Sequence, residues 1–583
     1  MASSDASPSI GDLHGKDFDR FLSSVNSFGK YHKLVLAFVF LPAVLPGSFH
    51  GFNQVFLAAK PQNFWCRLQN TSSMPEVVLT GAIANLSTAT TEDQKHCTMP
   101  DTAANAPSLW SNGSQMLRPE GTNSSSVPCQ YGWEYDRAFY NNSIVTEWNL
   151  VCEKSYYPTI ALIVLLMGAT CGTPLFGLIG DRWGRKRAYV ICMCIAQTAG
   201  IATAFSPDFI IFCVCRFFVG ATYPSAWSLP FTLSMEMISA KQRATFGTAA
   251  SIAYCLGSLV VVAIAYLVQD WRQFALATSI PLCYVFLSWY FMPESARWLL
   301  SRHRVDEVEA FFSKVAKCNK TEFNTDLLKG ILRDNTSRDI SEKENYSYWD
   351  LFQTPNMRKK SLLLCAVNCA NLTVYLGLSY YSPSLGSNPW ISYTLAALME
   401  VPAYVLVYLT ADRVGRRLPT VVFLLVGGFV LLGTCIVPTS NSTTLLVLGL
   451  IGKLCISTSF TFGEIYEQEL FPTVVRSQGS AFTQYVSNAC ACVFPVIMYL
   501  GENYVAYPVI IFGILSVAAG CSALFLPETL DTDLPQTLED GEKFGENMPW
   551  RDVFRFLPRR PRDTASETVM ETRPKGTIVR TNL

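Results

Sequence analysis

Charge is what this chain has least of. Only 15% of its 583 residues are charged and half are hydrophobic, whereas a soluble chain carries about a quarter charged residues. The 45 basic and 45 acidic residues cancel, so nothing points to a nucleic-acid partner. Up to Lys33 the N-terminus is polar, with no short apolar region and small-residue cleavage site. No cleaved signal peptide is therefore expected, and the first apolar span directs insertion. The 19 cysteines are scattered, with no tandem CxxC pair of the kind that holds zinc. No nucleophile–base pair, phosphate loop or metal cluster stands at usable spacing. Gly180 to Lys186 lacks the glycine pattern of a nucleotide loop. These absences argue against an enzyme and give no reason to expect a cofactor or a metal.

What the chain has is long apolar runs, organised around one short charged stretch, Gly180-Asp181-Arg182-Trp183-Gly184-Arg185-Lys186-Arg187. Ala411-Asp412-Arg413-Val414-Gly415-Arg416-Arg417 echoes it. Short, strongly positive connections between spans lie on the cytoplasmic side, and glycine permits the tight turn. The echo belongs to a wider repeat. Asp181, Arg185, Glu236, Arg243 and Glu294 recur as Asp412, Arg416, Glu469, Arg476 and Glu528, at an offset of about 230 residues. Two parallel six-span repeats are the architecture of major-facilitator transporters. The expected fold is all-α, with twelve transmembrane helices in two halves. The ten repeated charges are read as a gate, forming cytoplasmic ion-pair networks that close in one state and part in the other. A purely topological role for them is the competing reading.

Taken in order, residues 1–33 form a cytoplasmic lead-in and 34–292 the first half. Within that half, 60–155 is a polar segment too long for a simple connection. It carries N-x-[ST] sequons at Asn70, Asn85, Asn112, Asn123 and Asn141, which suits a glycosylated extracellular surface. Cys66, Cys97, Cys129 and Cys152 there allow two disulfides in any of three connectivities. Spans are expected near 34–58, 157–179, 188–206, 209–234, 244–268 and 273–292, each long enough to cross the bilayer. A charged linker, 293–360, follows. Its stretch 303–318 has helical amphipathic spacing, with Val305, Val308, Phe311, Phe312 and Val315 on one side. The second half, 361–528, holds spans near 361–382, 390–410, 418–437, 444–466, 479–499 and 505–526. Both termini are then cytoplasmic. The tail, 529–583, reads as mostly disordered. It ends Thr581-Asn582-Leu583, a fit either to a PDZ-type ligand or to an idle tail end.

Four stretches carry a family resemblance. Ser143-Ile144-Val145-Thr146-Glu147-Trp148-Asn149-Leu150-Val151-Cys152 resembles the signature before the second span of the organic cation, carnitine and organic anion transporters. Pro293 to Leu299, Glu400-Val401-Pro402-Ala403-Tyr404 and Glu469 to Arg476 are similar as well. The resemblance covers about residues 20 to 530 and implies a polyspecific plasma-membrane carrier working by alternating access. It places Trp227 and Tyr375 at aromatic substrate contacts. In span 11 the cation carriers have an aspartate, and the carnitine and anion carriers an arginine, where this chain has Asn488.

Substrates of such carriers bind near the bilayer midplane between the halves, and charged residues there are functional candidates. Counting along straight helices puts Glu400 near mid-depth, Asn488 at a similar depth and Lys453 nearer the outer leaflet. Lys453, Ser457, Thr461, Glu464 and Gln468 share one face of span 10, as do Gln484, Tyr485 and Asn488 in span 11. Lys453 and Glu464 are too far apart along one helix to pair, so each needs a partner elsewhere. Glu400 and Glu464 are expected to make the cavity negative, and aromatics beside an acid suit an organic cation. The sequence thus favours organic cations or zwitterionic amines as substrate. Carnitine-like or anion transport relying on Lys453 is the alternative, and a non-transporting receptor or scaffold a further one. The polar groups serving only to bind helices together is a competing reading for each site residue.

Overall fold

Each apolar run of membrane length becomes helical, because a helix satisfies its own backbone where no water can. The computed structural model describes residues 29–67, 97–100, 126–320 and 348–545, apart from positions 130, 239, 303, 439–440, 503, 531 and 533–534. Asn70, Asn85, Asn112, Asn123 and the terminal Thr581-Asn582-Leu583 lie outside the described residues.

The first half comprises α1 (Lys30–Leu57), the short loop helix α2 (Ile144–Glu147), α3 (Tyr157–Trp183), α4 (Arg185–Ala204), α5 (Phe209–Met237), α6 (Ala240–Leu267), and a sixth span split into α7 (Trp271–Ser279) and α8 (Tyr284–Phe291). The linker supplies α9 (Ala296–Ser301) and α10 (Val305–Asn319). The second half comprises α11 (Pro355–Tyr381), α12 (Pro389–Leu398) continuing into α13 (Glu400–Val414), α14 (Arg417–Leu432), α15 (Ser442–Leu470), α16 (Arg476–Ala491) continuing into α17 (Phe494–Tyr499), and α18 (Tyr507–Ala523). Among the described residues ten of these helices are long and apolar enough to cross a membrane. The split sixth span and the 17-residue α18 complete two sets of six. Large apolar side chains such as Phe38, Leu178, Ile210 and Tyr290 face outward, as lipid contact requires.

Proline places the breaks. It removes an N–H and clashes with the carbonyl four residues earlier. Pro281 accompanies the 3-10 turn Ile280–Cys283, Pro402 the break between α12 and α13, Pro495 the one between α16 and α17, and Pro42 the π-segment Leu36–Phe40. Packing against neighbours places the small residues. A Cβ at Gly172 would lie 1.9 Å from the carbonyl oxygen of Ala221, and one at Gly220 equally close to that of Leu165, so α3 and α5 touch backbone to backbone.

The polar segment between α1 and α3 pairs β1 (Phe64–Cys66) with β4 (Trp133–Tyr135), and β2 (Thr98–Pro100) with β3 (Ser126–Pro128), both antiparallel. Of the three connectivities open to its cysteines, the structure forms Cys66–Cys129 and Cys97–Cys152. This segment marks one end of the helical bundle, the loop end. The two Arg-rich turns mark the other, the turn end.

At the turn end three glutamates hold helix N-termini, where free N–H groups favour an anion. Glu294 accepts from the N–H of Lys186 at 3.1 Å. Its counterpart Glu528 accepts from Arg416 and Arg417 at 2.9 and 3.2 Å. Glu542 accepts from Asn356 and Met357 at 2.9 and 2.8 Å. Glu542 belongs to α19 (Leu538–Lys543), which docks on the start of α11 through Asn356 and Lys360. The expectation of a mostly disordered tail from 529 is corrected for its part up to Gly545, which packs on the second half. In the linker, α10 buries Val308, Phe312 and Val315, the face its spacing predicted.

Candidate functional site between the two halves

The site begins at the Pro402 break. Freed from a continuous helix, Glu400 opens α13 and turns inward, 3% exposed. Lys453 on α15 is 2% exposed and meets it, Nζ to Oε1 at 2.8 Å. The Lys453 ammonium also donates to Ser379 Oγ at 2.5 Å and lies 3.5 Å from the centre of the Tyr375 ring, a cation–π contact. The Tyr404 hydroxyl donates to the other Glu400 oxygen at 3.3 Å. A charge pair this deep is retained only with such geometry and satisfied neighbours. The Lys453 ammonium therefore reaches the Glu400 carboxylate, and the two neutralise one another. The expectation that Glu400 and Glu464 together make the cavity negative is corrected: Glu464 alone remains exposed.

The polar face of α15 shows where the cavity opens. Lys453 and Ser457 are buried, Thr461 is half-buried, and Glu464 and Gln468 are exposed. One helical face thus passes from dry to open toward the turn end. At the loop end the halves seal against each other. Tyr380 donates to the Gly51 carbonyl, Phe56 stacks on Trp390 at 5.5 Å, Tyr140 packs on Trp390, and Ser155 bonds Tyr499 at 3.1 Å. The crevice on that side of the pair, lined by Phe52, Ser258, Tyr393 and Ala397, is too small for an organic amine.

Aromatic rings surround the pair. Tyr375 stacks on Phe460 at 5.1 Å. On the facing half Trp227 stacks on Phe231 and packs edge-on against Tyr254, which lies within electrostatic reach of Glu400. The structure thus gathers Tyr375, Glu400 and Lys453, with Trp227 across from them. Tyr485 is 47% exposed, Asn488 is half-buried, and neither bonds to Glu400 or Lys453. Thr483 and Ser487 are the buried polar positions of α16.

Six of the ten repeated charges form ion pairs, each set within its own half. Arg185 pairs with Asp181 at 3.1 Å and Glu236 at 3.7 Å. Arg416 pairs with Asp412 at 3.5 Å and Glu469 at 2.8 Å. Arg243 donates to the Ile238 carbonyl and Arg476 to that of Phe471, both at 3.3 Å.

Sequence reasoning missed three features. Ser379 and Tyr404 complete the central pair, and Tyr404 had a signal in its place one turn after Glu400. At the loop end Glu147 accepts from Arg272 Nη2 and Trp271 Nε1, both at 2.6 Å. Trp148 packs on Phe212 and Trp271. Burial alone would raise the Glu147 carboxyl, but the Arg272 and Trp271 hydrogen bonds and the Arg272 charge outweigh it and hold it below its ordinary value.

Two six-helix halves around a buried charge pair, sealed at one end and open at the other, define a membrane transporter. The chain belongs to the sugar (and other) transporter family, whose model matches residues 81–539. It is 34% identical to the carcinine transporter of Drosophila melanogaster, over 94% of this chain and 82% of that one. With the beta-alanine transporter of the same organism it shares 34% identity, over 90% and 89%. With that organism's organic cation transporter protein it shares 32%, over 91% and 95%. Its fold is similar to the inward open conformation of the xylose transporter XylE from E. coli, with a TM-score of 0.56 and 17% identity over 87% of this chain and 99% of that one.

Proposed function

We propose that this chain carries organic cations or zwitterionic amines across the plasma membrane by alternating access. The observation that carries the reading is the polar face of α15, which leads from exposed Glu464 to the buried Lys453–Glu400 pair among aromatic rings. An acid and aromatic faces attract an amine, and the relatives named for carcinine, beta-alanine and organic cations are consistent with one. The anion alternative loses its main support, because Lys453 is already matched by Glu400.

In this reading the Arg-rich turns and both termini are cytoplasmic, and the state described is open to the cytoplasm. The charges at Asp181, Arg185, Glu236, Arg243 and Glu294, and their counterparts, stiffen each half and re-pair across the halves when the carrier turns outward. Asn141, exposed at the loop end, is a glycosylation site, as are the four sequons outside the described residues. The terminal Thr581-Asn582-Leu583 is offered to a PDZ domain. Uptake of labelled amines by cells expressing the chain tests the reading. Saturable amine flux supports it, and flux of aromatic anions alone would overturn it.

A further inference from the structure

The Lys453–Glu400 pair poses a charge problem for any substrate that enters. Both side chains are almost wholly buried, and each is the other's counter-ion at 2.8 Å. A lone cation that binds Glu400 must displace the Lys453 ammonium, which then keeps only the Ser379 hydroxyl, the Tyr375 carbonyl at 3.4 Å and the Tyr375 ring. A lone anion that binds Lys453 strands Glu400 with the Tyr404 hydroxyl. Either leaves an uncompensated charge in a water-poor interior, which is strongly unfavourable. A molecule with both charges strands neither.

We propose that the pair is a charge-exchange clamp for a short zwitterionic amine. The substrate ammonium takes the place of Lys453 at Glu400, and its carboxylate takes the place of Glu400 at Lys453. One ion pair becomes two, and the net charge of the site is unchanged throughout. The surrounding groups fit this exchange. Tyr404 already orients one Glu400 oxygen. The four-carbon stem of Lys453 lets its ammonium withdraw along the Tyr375 ring without moving the helix. The Pro402 break gives Glu400 a helix end, not a rigid mid-helix position, from which to part. The clamp rests on the transport reading above and narrows it: charge balance, not amine character alone, selects the substrate.

The test compares uptake of β-alanine, its methyl ester (a cation) and its N-acetyl derivative (an anion) by the full chain in proteoliposomes. Thermal stabilisation of the purified protein by each compound is measured in parallel. The clamp predicts that wild type prefers the zwitterion over both derivatives by about tenfold or more. Lys453→Gln should lose that preference by losing the zwitterion and not the ester. The doubly neutral Glu400→Gln, Lys453→Met, which leaves no stranded charge and should fold, should lose it as well. A reversed pair, Glu400→Lys with Lys453→Glu, should regain zwitterion preference. Ester uptake equal to zwitterion uptake in wild type overturns the clamp while leaving amine transport standing, and so does an undiminished preference in Lys453→Gln or the neutral double variant. If no compound is transported, the transport reading fails. The clamp is then decided by the stabilisation data: preferential stabilisation by the zwitterion, lost in the double variant, supports it, and equal stabilisation by all three overturns it.

Discussion

Arg416 binds Glu469 at 2.8 Å, and Arg185 stands in the same relation to Glu236 at 3.7 Å. In each half an arginine that follows the glycine of the turn thus reaches the acid near the end of the fourth helix of its repeat. The same turn is tied a second time, through its backbone, to Glu528 or Glu294. Each half therefore carries its own brace, and a rocking motion can move the halves as units.

Removing the brace should slow transport more than it harms delivery. The Arg416 side chain is 12% and that of Glu469 20% exposed, so losing the pair costs about 1–2 kcal/mol, below the figure for a fully buried pair. Arg416→Gln and Arg243→Gln are each expected to lower amine uptake by about tenfold at near-normal surface abundance. Surface biotinylation beside initial-rate uptake checks this. Normal turnover in both variants would leave the charges a topological role only.

The Glu147 latch makes a pH prediction. Its carboxyl is held below the ordinary 4.5 by the Arg272 and Trp271 bonds, against the opposing effect of burial. A depressed carboxyl stabilises the folded form fully above its unfolded value, and that contribution fades as pH falls through the lower folded value. The loop segment should therefore loosen below about pH 4.5, read as a change in tryptophan emission or in protease sensitivity. Glu147→Gln should be loose at neutral pH and lack this acid transition. An unaltered transition in the variant would assign it elsewhere.

The disulfide pairing is directly checkable. Cys97–Cys152 ties β2 to the root of α3. Cys97→Ser should expose one thiol, at Cys152, to a membrane-impermeant maleimide added outside cells, while Cys66–Cys129 stays closed. Peptide mapping that links Cys66 to Cys97 or Cys152 would refute the connectivity.

Close packing of α3 on α5 predicts intolerance at Gly172. Any Cβ there meets the Ala221 carbonyl oxygen at 1.9 Å, and backbone cannot yield as a side chain can. Gly172→Val should destabilise by about 3 kcal/mol or more and abolish the monodisperse peak in detergent. Gly177, with open space around its Cβ position, should accept the same change with little effect.

Much of this architecture was legible because its signals are local. The D-R-x-G-R turns at Asp181 and Asp412 and the apolar run lengths each report on a few neighbouring residues. The amphipathic face of α10 was readable for the same reason. The Lys453–Glu400 pair was not legible. Depth counted along each helix does not say which side chains of spans 8 and 10 face each other, because the tilt and rotation of one helix against another are set by packing across the whole bundle. The same limit applies to span 11: Gln484, Tyr485 and Asn488 share one side of a helix, but helical period alone does not say which side meets a neighbour. Disulfide choice among Cys66, Cys97, Cys129 and Cys152 depends on strand pairing between segments far apart in the chain.

The central claim is that amines cross this protein at the Glu400 site. It is tested most directly by initial-rate uptake of a labelled quaternary amine, a zwitterionic amine and an aromatic anion into proteoliposomes, wild type beside Glu400→Gln, with and without sodium. The account predicts saturable uptake of the zwitterionic amine, the strongest of the three, reduced by about tenfold or more in the variant. Uptake of the anion alone, or amine uptake indifferent to Glu400→Gln, would contradict it.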